Sequence, residues 1–172
     1  MDNVDQRMIV LRIIAFTILF PGTIAGLFPR LLIPREVWDR GPQWDVSALA
    51  GVALAAVGMG IYCWCAWAFA TRGRGTPAPY DPPRKLVVNG LYRYTRNPIY
   101  IGVLGVVLGQ AILWKLMPLV VYCAIVAVAF HLRVVFYEEP TLRASFGEGL
   151  ERYRREVPRW LPRIPKRPSV SN

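Results

Sequence analysis

Two stretches of this 172-residue chain carry side chains able to do chemistry. The first is Lys85-Leu-Val-Val-Asn-Gly-Leu-Tyr-Arg-Tyr-Thr-Arg-Asn-Pro-Ile-Tyr-Ile-Gly102, and the second runs from Tyr137-Glu-Glu-Pro to Tyr153, followed by Val157-Pro-Arg-Trp-Leu-Pro162. In the first, Asn97 is placed to cap a helix that begins at Pro98. The free N–H groups of a helix start suit a carboxylate. Tyr92, Tyr94 and Tyr100 supply rings that can stack on a purine, or equally serve as interfacial anchors. In the second, Glu138 and Glu139 are adjacent acids in a basic tail. A carboxylate can bind ribose hydroxyls or an ammonium group, or it can simply balance charge. Neighbours on a helix diverge by about 100°, so one glutamate is expected to face a ligand while the other braces the structure against an arginine. His131 and Arg133 precede them inside an apolar stretch, where ionisable groups are functional candidates. The plainer readings are a satisfied core histidine and an arginine that snorkels to the surface.

The elements that must position these groups are apolar. Hydrophobic residues make up 54% of the chain and fall in four runs, each near the ~20 residues needed to cross a ~30 Å hydrocarbon core. The runs are about Met8–Phe28, broken by Arg12 and Pro21-Gly22; Val46–Ala70; Pro98–Trp114; and Met117–Tyr137. Only Trp114-Lys115-Leu116 separates the last two, which predicts a tight antiparallel hairpin. Gly51, Gly58 and Gly60 in the second run, and Gly102, Gly105 and Gly109 in the third, read as close-packing positions. Cys63, Cys65 and Cys123 lie within the runs, lack metal-ligand spacing and read as small apolar residues. Residues 73–83 are rich in glycine and proline and predict an extended loop. The expected architecture is an all-α integral membrane bundle of about four helices forming one domain. Residues 1–70 supply two helices, 71–162 the catalytic loop, hairpin and C-terminal segment, and 163–172 a tail.

The net charge of +10 is unevenly placed. Residues 71–97 hold six Lys/Arg against Asp81, and eight more follow Glu138. The loop from Pro29 to Asp45 is balanced, and the hairpin tip has only Lys115. The positive-inside bias puts loop 71–97, the tail and the N-terminus in the cytoplasm, in a plasma or inner membrane. Attraction to anionic lipid headgroups accounts for the basic balance, and no nucleic-acid partner is expected.

The block Gly90-Leu-Tyr-Arg-Tyr-Thr-Arg-Asn-Pro-Ile-Tyr-Ile-Gly102, with Glu138-Glu139, Phe146-Gly147 and Tyr153, resembles the isoprenylcysteine carboxyl methyltransferase family; the related phospholipid N-methyltransferases share much of the pattern. The resemblance covers roughly residues 84–162. It implies S-adenosylmethionine as methyl donor, held by Arg84, Lys85, Leu86, Val87, Tyr92, Asn97, Pro98, Ile99, Tyr100 and Glu138. It also implies a lipid-like or prenylated acceptor at a carboxylate, amine or thiol. The family often has histidine at the position of Asn97, and its carboxyl methyltransferases place a substrate-contacting arginine four residues before the first acid. That position is Val134 here, with Arg133 adjacent, which leaves the prenylcysteine substrate open.

Read from the residues alone, no Rossmann glycine pattern is present. A carboxylate acceptor needs no base but wants a cation such as Arg133. An amine must lose a proton, for which Glu139 or His131 is available. The competing classes are a membrane reductase using NADPH, whose 2′-phosphate Arg84, Arg93 and Arg96 would hold, and a non-enzymatic membrane protein.

Overall fold

The computed structural model describes residues 3–69, 71 and 88–163, with the backbone alone for residues 3–10. The described residues are helical and contain no strand. In chain order the helices are α1 (Asn3–Leu19), α2 (Phe28–Leu32), α3 (Arg35–Arg40), α4 (Val46–Ala68), α5 (Pro98–Trp114), α6 (Met117–Arg133), α7 (Glu139–Phe146) and α8 (Glu148–Glu156). Three continuous helical stretches are long and apolar enough to cross a membrane: Leu11–Leu32, Val46–Ala68 and Met117–Phe146. The fourth expected span, Pro98–Trp114, is apolar but only 17 residues long, about 25 Å at 1.5 Å per residue.

The first span does not break at Pro21-Gly22, nor end at Phe28. A π-helical turn over Thr23–Leu27 carries it through to Leu32, with the N–H of Phe28 bonding to the Thr23 carbonyl. Proline lacks the N–H that would bond one turn back, and the wider turn absorbs the mismatch. Two carbonyls in this stretch gain side-chain donors from the neighbouring helices. Tyr122 Oη donates to Ile24 O at 2.8 Å, and Gln110 Nε2 to Ala25 O at 2.7 Å. Such rescue matters in lipid, where an unpaired backbone group costs several kcal/mol.

Helices α4 and α5 form the tightest pair because their backbones touch. A Cβ on Gly58 would lie 2.6 Å from Gly102 O, and one on Gly109 would lie 2.6 Å from Gly51 O. Gly51, Gly58, Gly102 and Gly109 are therefore interface glycines of the kind that let membrane helices approach. Gly60 meets nothing within 4 Å and has no such role.

The α5–α6 hairpin turns on Lys115 in the left-handed conformation, φ 52°. Its N–H caps Ala111 and Ile112. Lys115 also pairs with Asp45, which caps α4 through the Ala48 N–H at 2.9 Å. That pairing holds the Asp45 carboxyl below its ordinary pKa. Nearby, Trp38 of α3 stacks on Trp114 at 5.2 Å, beneath the Arg30 guanidinium.

At the opposite end of the bundle, the last span also exceeds its expected limit. It passes Tyr137 through a π-helical turn, Val134–Glu138, directly into α7. Gly147, with φ 48°, then reverses the chain into α8. Helix α8 buries Leu150 and Tyr153 against Leu142, Phe146 and Val157.

Candidate functional site

The polar end of the bundle is assembled from three segments distant in sequence. Residues 90–97 lead into α5, residues 131–139 close α6, and residues 153–163 fold back across both. Backbone bonds tie the third segment to the first: Arg96 N donates to Pro158 O, and Arg163 N to Tyr94 O, both at 2.9 Å. Side chains complete the strap. Buried Thr95 donates to the carbonyls of Arg159 and Trp160, at 3.0 and 3.1 Å. Tyr153 Oη donates to Tyr92 O at 2.7 Å.

Asn97 stands at the N-cap of α5 but makes no side-chain cap. Its Nδ2 instead donates to Arg159 O at 3.1 Å, so the expected cap is replaced by an anchor for the strap. Tyr92, expected to offer a ring for stacking, is buried against Phe69, edge to face at 5.8 Å, in the cluster around Cys65 and Ala68. Burial holds the Tyr92 phenol well above its ordinary pKa, and raises that of Tyr153 as well. Of the remaining sequence-derived donor residues, Pro98, Ile99 and Tyr100 lie on the first turn of α5; Arg84, Lys85, Leu86 and Val87 lie outside the described residues.

The two adjacent glutamates enter separate networks. Glu138 Oε1 accepts a short hydrogen bond from Tyr100 Oη and one from Arg133 Nε at 3.0 Å. Arg133 Nε also lies 3.1 Å from Tyr100 Oη. Glu139 is enclosed by arginines. Arg159 grips it with two bonds at 2.8 and 2.9 Å, Arg96 Nη1 reaches Oε1 at 2.9 Å, and Arg154 reaches Oε2 at 3.3 Å. Both Glu139 oxygens are thus engaged, with its side chain 12% exposed. Bidentate arginine pairing of this kind fixes geometry as well as charge. Burial lowers the Arg96 pKa, and Glu139 opposes that effect. Arg96 Nε is buried and has no hydrogen-bond partner among the described residues.

Beside the Glu138 network lies an apolar slot of about 120 Å³. Phe16, Phe20 and Ile24 of the first span form one wall; Tyr62, Val103 and Phe130 form the other; Tyr100 and Arg133 close its polar end. Thr17 and Tyr62 join these walls through hydroxyls 2.6 Å apart. His131 does not line the slot. Its Nδ1 accepts from Trp160 Nε1 at 3.1 Å, and Trp160 leans toward the Tyr100 ring.

Arg133, Glu138 and Tyr100 are each legible in the sequence, but their mutual contact is not. Thr95, Arg154, Arg159 and Trp160 also enter the candidate site. Their signal is faint, because nothing in local spacing pairs position 139 with position 159.

The fold and this polar end define a helical membrane protein with a charged, aromatic roof above an apolar slot. Residues 46–149 match the family model described as phospholipid methyltransferase, and the chain belongs to that family. Over 81 residues, 46% of this chain, it is 35% identical to a protein-S-isoprenylcysteine O-methyltransferase of Schizosaccharomyces pombe. The aligned part spans 34% of that relative's length. No solved structure gives a significant match.

Proposed function

We propose that this protein transfers the methyl group of S-adenosylmethionine to a lipophilic acceptor that enters from the bilayer. The observation that carries the reading is the meeting of Tyr100, Arg133 and Glu138 at the polar end of an apolar slot. Family membership and the named yeast relative agree with it. The donor's chemical groups fit the residues present. Its ammonium, sulfonium and ribose hydroxyls want a carboxylate, which Glu138 supplies; its own carboxylate wants a buried N–H donor, which Arg96 Nε offers. When bound, S-adenosylmethionine supplies an electrophilic methyl on a cationic sulfur, and transfer requires an in-line nucleophile and exclusion of water.

The chain's own groups would divide that work. Phe16, Phe20, Ile24 and Phe130 keep the slot dry and favour an acyl or prenyl tail. Arg133 is the cation at the mouth. Its Nε is shared by Tyr100 and Glu138, while its Nη groups make no hydrogen bond among the described residues and would orient an oxyanion. Glu139 is held as a carboxylate by three arginines, and His131 faces Trp160, so neither candidate base addresses the slot. A carboxylate or thiolate acceptor, which presents its lone pair without a base, therefore fits better than a protonated amine. The basic end is assigned to the cytoplasm by the same charge bias that the sequence displays.

The test is binding of S-adenosylhomocysteine to protein purified in detergent. Saturable binding that is lost in Glu138→Ala is expected. No binding at millimolar ligand rejects the reading, and saturable NADPH binding in its place favours the reductase class.

A further inference from the structure

Arg133 and Glu138 stand five residues apart, a spacing that an α-helix does not bring together. At about 100° per residue, five steps turn through about 500°, leaving the two side chains about 140° apart. A π turn closes in roughly 4.4 residues, so the same five steps turn through about 410° and leave them about 50° apart. The chain is π-helical over this interval, Val134–Glu138, with the N–H of Glu139 bonded to Val134 O. Arg133 Nε consequently reaches Glu138 Oε1 at 3.0 Å. The following residue, Glu139, is directed to the arginine cluster on the other side.

We infer that this π turn is the positioning device of the site: one residue within it is angularly surplus, and that surplus sets Arg133 and Glu138 on the face of the span that meets Tyr100. The inference rests on the proposed reading of the site for its functional meaning. Phe136 is the natural surplus residue. It is 74% exposed on the outer surface, whereas Val134 is 1% exposed and packed inside, and the Tyr137 ring lies 5.6 Å from the Arg133 guanidinium. Removing Phe136 converts the interval to an α-helical i, i+4 spacing of about 400°, which keeps the pair on one face and leaves α7 in phase. Removing a residue from the regular part of α6, such as lipid-facing Val128, rotates both groups by about 100° away from Tyr100.

The experiment compares deletion of Phe136, the side-chain control Phe136→Ala and deletion of Val128, all in the full-length chain in detergent. Two readouts are taken. One is the affinity for S-adenosylhomocysteine. The other is the coupling of Arg133→Met with Glu138→Gln on the thermal midpoint, which requires no ligand. Deletion of Phe136 should keep affinity within about threefold and preserve the coupling, while deletion of Val128, which moves the pair together away from Tyr100, should lose affinity and leave the coupling in place. As a companion at unchanged length, the exchange Arg133→Val with Val134→Arg should lose affinity. The inference is overturned if deletion of Phe136 loses the coupling, if it loses affinity as deletion of Val128 does, if it leaves the chain unfolded while Phe136→Ala folds, or if the exchange binds normally. Wild-type protein that binds no S-adenosylhomocysteine, yet keeps the coupling after loss of Phe136, would sink the methyltransferase reading and leave the positioning inference standing.

Discussion

The two ends of the bundle use the same kinds of residue to different effect. At the hairpin end, Asp45 meets Lys115, and Arg30, Trp38 and Trp114 stack; each contact closes a turn on the surface. At the other end, four arginines, two glutamates, Tyr100 and Trp160 are drawn from three segments up to 65 positions apart. Ordering so many long side chains costs conformational entropy at every one. A bundle that only had to be closed could use the cheaper solution at both ends. The costly one is found where an apolar slot opens beside a carboxylate, the end to which the proposed reaction is assigned.

The sharpest break should come from Glu139→Gln. It leaves Arg96, 13% exposed, beside the more solvated Arg154 and Arg159 without their shared carboxylate, and stranding buried charge costs up to about 3 kcal/mol. A large fall in thermal midpoint is expected, with ligand binding lost as a consequence. Glu138→Ala should do the converse. Its midpoint falls only by the modest worth of the Arg133 and Tyr100 contacts while S-adenosylhomocysteine affinity falls about tenfold or more, so calorimetry paired with melting separates the two neighbouring acids. Asn97→Ala removes one anchor of the strap and should cost about 1 kcal/mol, read as a modest drop in midpoint.

Alkali tests the strap differently. Tyr92 and Tyr153 have folded-state pKa values raised by burial. Their contribution is complete below the ordinary phenol value of about 10 and is lost as pH rises through it toward the folded values. Melting followed from about pH 8 to about pH 11 should therefore show falling stability, with a smaller fall in Tyr153→Phe. The hairpin end should respond least. Asp45→Asn keeps the cap to Ala48 and loses only an exposed pairing, so a barely measurable shift is expected. Because the Asp45 pKa is depressed, its contribution persists at neutral pH and disappears on acidification through the carboxylate range.

The apolar runs made the spans legible, since few charges interrupt some twenty residues at a time. Their limits were less legible, for identifiable reasons. Pro21 reads as a break, but a π turn with donors from Tyr122 and Gln110 repairs it. Glu138-Glu139 reads as an exit, but arginines from beyond the span neutralise the charge and the helix continues to Phe146. That the two glutamates point into separate networks, one of them braced by arginines, follows from helical geometry. The Arg133–Glu138 contact does not, because it depends on a turn that sequence periodicity treats as α-helical. The strap was invisible for a simpler reason: its bonds join residues some sixty positions apart and leave no periodic trace.

The most direct measurement incubates purified protein with methyl-labelled S-adenosylmethionine and vesicles carrying either prenylcysteine or phospholipid, then counts label in the lipid extract. Wild-type protein should label the acceptor bearing a free carboxylate, and Glu138→Ala protein, confirmed as folded, should label neither. Absence of label from every acceptor with wild-type protein, or undiminished labelling by Glu138→Ala, would contradict a methyl-transfer site built on Tyr100, Arg133 and Glu138.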